Sequence, residues 1–161
     1  MLFEVKVILE SDIPSSANIV RQAFKTVADE FGLTKENAST NGAFLEDSKL
    51  LDEYNNGVKM FGLFEGETQI GFFSLKDKDS ETFYLEKLAV LPEYRHNGYG
   101  KIMINYAKEY VKRAGGKTIS IGIIYENTRL KKWYETFGFE ETGVKKFEHL
   151  PFTVCFMRLN L

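Results

Sequence analysis

A glycine-containing turn between a predicted strand and a predicted helix is the clearest candidate for a binding site. Residues 91–100 read LPEYRHNGYG and join a strand that ends at Val90 to a helix that begins at Gly98. Glycine lets the backbone approach a ligand closely, and the free N–H groups of a helix's first turn attract anions. Arg95 and Lys101 add positive charge on both sides. These features predict a diphosphate site.

Two better-known phosphate motifs do not fit the sequence. The dinucleotide fingerprint Gly-x-Gly-x-x-Gly needs a third glycine where this chain has Met103. Gly116-Lys117-Thr118 matches the end of a P-loop, but Val111 stands where its first glycine belongs. That segment also runs from a helix to a strand, the reverse of a P-loop. A nucleotide-binding enzyme stays as an alternative that heat protection by ATP or NAD would reveal.

A second pattern follows in the chain and completes a resemblance to a known family. Arg95-x-x-Gly98-x-Gly100 resembles the acetyl-CoA signature Arg/Gln-x-x-Gly-x-Gly/Ala of the GNAT superfamily of N-acetyltransferases. Asn127 followed by Trp133-Tyr134-Glu135-x-x-Gly138-Phe139 resembles the second element of that family. One departure is Leu130, where family members usually have alanine.

The resemblance implies a fold and a mode of cofactor binding. It implies one mixed α/β domain over residues 1–161, with a central, mostly antiparallel sheet, helices on both faces, and two parallel strands that splay at the CoA site. The pantetheine arm is expected to bond to the main chain of Leu88 and Val90, and amides 96–101 to hold the pyrophosphate. The residues implied to contact the cofactor are Leu88, Ala89, Val90, Arg95, His96, Asn97, Gly98, Tyr99, Gly100, Lys101, Asn127 and Tyr134.

Attack of an amine on a thioester needs a neutral amine, a stabilised oxyanion and a proton for the leaving thiolate. The backbone N–H of Leu88 is the expected oxyanion donor, and Tyr134 resembles the family's acid tyrosine. The alternative for Tyr134 is a packing role on its helix. Glu86 is the leading candidate for the base, because the two-residue period of a strand would place it on the same face as Leu88.

Three other side chains are candidates for the base, and one cysteine is a candidate nucleophile. Tyr84, Glu126 and His149 are the alternatives to Glu86. Cys155 lies within an apolar run and is predicted to be core, because it lacks the histidine partner of an acyl-enzyme mechanism.

The elements that must position these residues follow the order β-α-α-β-β-β-α-β-α-β-β. Asp12 is expected to cap the first helix and Gly32 to end it. The predicted strands are 1–9, 58–64, 68–76, 81–90, 117–124, 139–147 and 152–159, and the other predicted helices are 46–54, 98–114 and 127–137.

Composition narrows the class of protein. The net charge of −2 argues against a nucleic-acid partner. A single cysteine offers no disulfide or metal cluster, and no apolar run approaches the ~20 residues of a membrane span. The opening residues do not resemble a signal or transit peptide. We therefore expect a soluble cytoplasmic protein without a metal; a homodimer through the C-terminal strands is expected by family analogy alone.

The sequence thus predicts an acetyl-CoA-dependent N-acetyltransferase that acts on a small-molecule or peptide amine in a ternary complex. The alternative is a non-catalytic acyl-CoA-binding or sensor module on the same fold. The acceptor walls are expected from Phe31–Gly57 and Lys145–Pro151. Acidic residues there could favour a cationic amine such as a polyamine, an aminoglycoside or a lysine side chain, or could simply be solvated surface residues; they are Asp47, Asp52, Glu53 and Glu148.

Overall fold

Strands and helices follow one another along the chain in the predicted order. A computed structural model describes residues 2–161. The strands are β1 Phe3–Val7, β2 Lys59–Glu65, β3 Thr68–Asp77, β4 Thr82–Val90, β5 Thr118–Ile124, β6 Glu140–Lys146 and β7 Thr153–Asn160. The helices are α1 Ile13–Phe31, α2 Asp47–Asn55, α3 Tyr99–Arg113 and α4 Thr128–Glu135. The predicted bounds therefore hold to within a few residues.

All seven strands form one sheet in the order β1-β2-β3-β4-β5-β7-β6. Neighbouring strands are antiparallel except β4 and β5, which α3 joins as a parallel pair. That pair is in register only from Thr82–Thr118 to Tyr84–Ser120. Beyond those residues β4 and β5 separate, which confirms the mostly antiparallel sheet with splayed parallel strands.

Helices cover both faces of the sheet. Phe73 packs with residues of α3 and α4 on one face, whereas the adjacent Phe72 packs with residues of α1 and α2 on the other. Both phenylalanines are fully buried. Alternate residues of a strand point to opposite faces, so β3 is an interior strand between two hydrophobic cores. The helices that carry the candidate site are thereby fixed on opposite sides of β4 and β5.

The ends of α1 show one confirmed prediction and one wrong one. The helix ends at Gly32, which adopts the left-handed conformation with φ of 65°. It begins after Asp12, but the Asp12 carboxylate accepts a hydrogen bond from the Leu9 N–H instead of capping the helix. A short 3₁₀ turn over Glu10–Asp12 directs that carboxylate back along the chain. In the described part of the chain, every helix is too short or too polar to cross a membrane.

Candidate active site

The separation of β4 and β5 opens a cleft of about 710 Å³, here called the central cleft. Its walls come from the second half of β4, the end of β5, one side of α1, the turn before α3, and α4. Backbone groups of β4 that would bond to a parallel neighbour face this opening after Tyr84, because register with β5 ends there. An extended ligand chain can therefore add to β4 in the place that β5 vacates.

Gly98 shapes the turn at one end of the central cleft. Its φ is 81°, in the left-handed region, and a Cβ atom there would meet nothing within 4 Å. The position therefore requires glycine for its backbone conformation and not for lack of space in the unliganded protein. His96 also has a positive φ, of 64°. Together the two residues turn the chain sharply into α3.

The backbone N–H groups of this turn are free of protein partners. Within the described residues, none of the amides of 96–101 donates a hydrogen bond, and the first α3 amide to do so is that of Ile102, to the Gly98 carbonyl at 3.2 Å. All of these residues except Asn97 line the central cleft. The Asn97 side chain bonds instead to the Tyr94 and Arg95 carbonyls. A run of unpaired amides at a helix N-terminus is an anion site.

The two charged residues beside the turn differ in their contacts. The Arg95 guanidinium donates to the Ala23 carbonyl at 2.8 Å and to Thr26 Oγ1 at 3.0 Å, so it fastens the turn to α1. Partial burial of that guanidinium lowers its pKa. Lys101 is exposed at the cleft and makes no ion pair within the described residues. Lys101 is thus the more available of the two charges for a ligand.

Gly100 has a packing role that its backbone conformation does not reveal. A Cβ atom at this position would lie 2.8 Å from Cζ2 of the Trp133 indole on α4. Atoms cannot approach so closely, so an alanine would displace the indole. The glycine turn and α4 are therefore interlocked through this contact.

Tyr134 and Asn127 lie where α4 borders the central cleft. The Tyr134 ring is buried edge-to-face against Phe139, with ring centroids 5.3 Å apart. Its hydroxyl makes no hydrogen bond to the described residues, yet it is not sealed from solvent. Burial raises the pKa of this phenol. Asn127 caps α4 by accepting a hydrogen bond from the Leu130 N–H at 3.3 Å, and Leu130 lines the cleft wall.

A β-bulge in β4 overturns the expectation that Glu86 and Leu88 share a face. The β3 register passes from Phe72–Ala89 to Ser74–Glu86, so one residue of β3 lies opposite two of β4. Lys87 adopts the left-handed conformation at this point, with φ of 55°. An extra residue reverses the alternation of side chains beyond it. Leu88 therefore faces the α3 side of the sheet and Glu86 the opposite side.

The bulge is held by an ion pair that the sequence did not indicate. Lys87 Nζ lies 2.9 Å from Glu53 Oε1 on α2, and both side chains are largely buried. A lysine with a positive φ carries no sequence signature, and its partner is distant in the chain. The sequence alone therefore gives no signal that identifies this pair.

Glu86 lines a second cavity of about 530 Å³, here called the sheet-face cavity. The cavity lies over β3, β4, β5 and β7 on the sheet face opposite α3, and Tyr84, Ser120 and Gly122 also line it. Leu85 borders both the central cleft and the sheet-face cavity. The two spaces thus lie close together at the point where β4 and β5 part.

The remaining sequence candidates lie outside both cavities or have other contacts. The Glu126 carboxylate accepts a hydrogen bond from the Thr153 N–H at 3.1 Å and secures β7. His149 lies in the loop before β7 and packs against the Phe147 ring. Cys155 is fully buried, as predicted, and burial raises the pKa of its thiol to about 11.

Comparisons with known proteins agree with this geometry. The sequence model of the acetyltransferase (GNAT) family matches residues 24–139. An uncharacterized N-acetyltransferase of Methanocaldococcus jannaschii is 33% identical over 66 residues, which are 41% of this chain and 29% of that relative. The chain therefore spans less than a third of that relative.

Solved structures share the fold over the whole chain. The PaiA N-acetyltransferase of Thermoplasma acidophilum, in complex with coenzyme A, superposes with a TM-score of 0.81 at 21% identity, covering 100% of both chains. A GNAT family acetyltransferase of Elizabethkingia anophelis with acetyl-CoA bound gives 0.74 at 16% identity, covering 99% of this chain and 98% of the other. At these identities the likeness shows the fold alone.

Proposed function

The chain belongs to the acetyltransferase (GNAT) family, and on that premise we propose that it moves the acetyl group of acetyl-CoA to an amine by direct attack in a ternary complex. The observation that carries the proposal is the run of unpaired amides 96–101 at the mouth of a cleft that β4 and β5 open by separating. This arrangement suits a diphosphate at the turn and an extended arm along β4.

The cofactor is proposed to follow the path that the sequence implied. Its pyrophosphate accepts hydrogen bonds from the amides of 96–101, with Lys101 supplying charge. The pantetheine arm lies beside Leu88, Ala89 and Val90, all of which line the central cleft. The side-chain oxygen of Asn127 is occupied in capping α4, so Asn127 supports that helix instead of contacting the cofactor through this atom. Arg95 fixes the turn to α1.

Two groups are proposed to assist bond breaking at the thioester. The Leu88 N–H, at the bulge of β4, would stabilise the tetrahedral oxyanion; one such donor is typically worth about 3–4 kcal/mol. Tyr134 would give its proton to the departing thiolate. A tyrosine hydroxyl is protonated at neutral pH, and burial raises the pKa of this phenol further.

Glu86 is proposed to accept the proton of the attacking amine from the opposite face of the sheet. Its place in the sheet-face cavity supports this role, since that cavity and the central cleft share Leu85. Acetyl-CoA and the acceptor amine would then approach the gap between β4 and β5 from different sides of the sheet. The bulge separates Glu86 from Leu88 by face, which suits a base that serves the acceptor and an amide that serves the thioester.

Release of free thiol from acetyl-CoA, measured with a panel of amines, tests the proposal. We expect amine-dependent thiol release together with an acetylated amine detected by mass spectrometry. Tight binding of acetyl-CoA without transfer to any amine would instead support a non-catalytic acyl-CoA-binding module. Absence of both binding and transfer would remove the proposed function.

A further inference from the structure

We propose that the acceptor is a small amine that also carries an anionic group, such as the carboxylate of an amino acid, with its anion beside Lys76 and Lys78 and its amine toward Glu86. The inference rests on the proposed function and adds the substrate class. It is based on the charged side chains around the sheet-face cavity. It is also based on acidic side chains outside that cavity that already pair with basic residues of the protein.

The sheet register places these side chains around one space. Lys76 is the register partner of Tyr84, which is in turn the partner of Ser120. Register partners project from the same face of a sheet. Glu86 lies two residues along β4 from Tyr84, before the bulge, and so shares that face. Lys76, Lys78, Tyr84 and Glu86 all line the sheet-face cavity.

The charged side chains that line this cavity form no ion pair among the described residues. Lys76, Lys78 and Glu86 take part in none of the ion pairs of residues 2–161. Lys78 Nζ lies 5.8 Å from the centroid of the Tyr84 ring. This cation–π contact holds the Lys78 ammonium group beside the cavity. The cavity therefore offers two ammonium groups and one carboxylate, none of them in an ion pair, to a ligand that carries charges of both signs.

Further charges lie around the same cavity. Arg158 is the register partner of Ser120, and Glu140 is the register partner of Arg158. They add one positive and one negative charge beside the cavity wall. Asp79, one residue along the chain from Lys78 and close enough to interact with its charge, adds a further negative charge. Positive and negative charges around the cavity are therefore balanced, and an acceptor that carries both an anion and an amine matches both signs.

The acidic residues that would favour a polycationic acceptor are partly neutralised by the protein itself. Asp47 Oδ1 lies 2.8 Å from Arg21 Nη1, and Glu53 Oε1 lies 2.9 Å from Lys87 Nζ. A polyamine in the sheet-face cavity would place further positive charge beside Lys76 and Lys78. Like charges at close range oppose binding, which favours an acceptor with one amine and one anion over the polyamine that the sequence left open.

Matched pairs of acceptors test the inference, because an amino acid and its decarboxylated amine differ only in the carboxylate. Suitable pairs are lysine with cadaverine, tyrosine with tyramine, and phenylalanine with phenethylamine. We expect kcat/KM for the carboxylated member of the best pair to exceed that of its amine by about tenfold or more, the effect of one charge-assisted contact. Preference for the decarboxylated amines would overturn the inference.

Substitutions connect that preference to the two lysines. Lys76→Met and Lys78→Met should each lower kcat/KM for the carboxylated acceptor by about tenfold, with little change for its amine. Lys112→Met on α3, outside both cavities, is the matched control and should change neither value. Equal effects on both members of a pair, or an effect of Lys112→Met as large, would contradict the assignment.

The outcomes separate this inference from the proposed function. Acetyl-CoA affinity, measured by calorimetry, reports on the central cleft alone. A protein that binds acetyl-CoA but acetylates only uncharged or polycationic amines would retain the proposed function and lose the substrate class. A protein that binds acetyl-CoA and acetylates no amine of either kind would lose both the substrate class and the proposed transfer.

Discussion

Tyr134 joins a buried ring to a hydroxyl that reaches the central cleft, so its packing and its chemistry can be tested separately. The ring contacts Phe139 and Trp133, and a phenylalanine would keep those contacts. Only the hydroxyl differs between the two side chains. Tyr134→Phe is therefore a direct test of proton donation.

Tyr134→Phe should lower kcat about 10²–10⁴-fold, with the lower end expected because a thiolate is a fair leaving group. Acetyl-CoA affinity should change little, because the hydroxyl is used mainly in the transition state. The measurement is thiol release with an accepted amine, under conditions where chemistry limits the rate. Retention of more than about half of the wild-type turnover would show that Tyr134 is a packing residue. The unfolding stability of the variant should then also be close to that of the wild type, because the Tyr134 hydroxyl has no hydrogen-bond partner among the described residues to lose.

Gly98→Val should weaken acetyl-CoA binding far more than it weakens folding. Valine resists the positive φ of this position, at a cost of about 1–2 kcal/mol, and its branched side chain would stand where the diphosphate must approach. Calorimetry gives the affinity and urea unfolding gives the stability.

Gly115→Val is the matched control for this variant. Gly115 has a φ of 85°, and a Cβ atom there also meets nothing within 4 Å, but it lies past the far end of α3. Both variants should lose similar stability, whereas only Gly98→Val should lose affinity. Equal affinity in the two folded variants would remove the turn from the proposed site.

At the scale of elements, the contact between α3 and α4 couples the diphosphate turn to the helix that carries Tyr134. Gly100→Ala would force the Trp133 indole to move, because the new Cβ would lie 2.8 Å from it. Overpacking of this kind typically costs about 1–3 kcal/mol. We expect lower unfolding stability together with reduced turnover, as α4 shifts relative to the cleft.

Trp133→Leu combined with Gly100→Ala should relieve the clash. The double variant should therefore be more stable than the sum of the two single effects implies, with a coupling of about 0.5–3 kcal/mol in a double-mutant cycle. Additive free energies of unfolding would mean that the two elements do not interact as the geometry indicates.

At the scale of the whole molecule, acetyl-CoA should raise the melting temperature because it binds across elements that only the native fold assembles. At 100 times its dissociation constant, a ligand of the native state adds about 2.7 kcal/mol. For a domain of this size that corresponds to roughly 5–10 °C.

ATP and NAD serve as controls for the same experiment, because the sequence lacks both of their phosphate motifs. We expect neither to match the shift given by acetyl-CoA. Differential scanning fluorimetry with millimolar ligand is sufficient. No shift with acetyl-CoA, or an equal shift with NAD, would count against the central cleft as a CoA site.

Local patterns in the sequence determined the order of elements, the glycine turn and the family resemblance. Gly98 and Gly32 could be assigned because a positive φ favours glycine, and both have one. The apolar period of α3 and of α4 follows from burial of one helix face. Such features depend only on neighbours within a few residues, so they can be predicted from the sequence. These local patterns were sufficient to place the turn between β4 and α3.

Only the tertiary structure decided which side chains meet. Arg95 is fastened to α1 by a hydrogen bond to a residue 72 positions earlier in the chain, and Lys87 pairs with Glu53 across 34 positions. The bulge at Lys87 depends on the register between β3 and β4, and it moved Glu86 to the face opposite Leu88. Register and ion pairing are settled by packing between distant segments, which composition and periodicity do not encode. The charged side chains of the proposed acceptor site could therefore be identified only from the assembled sheet.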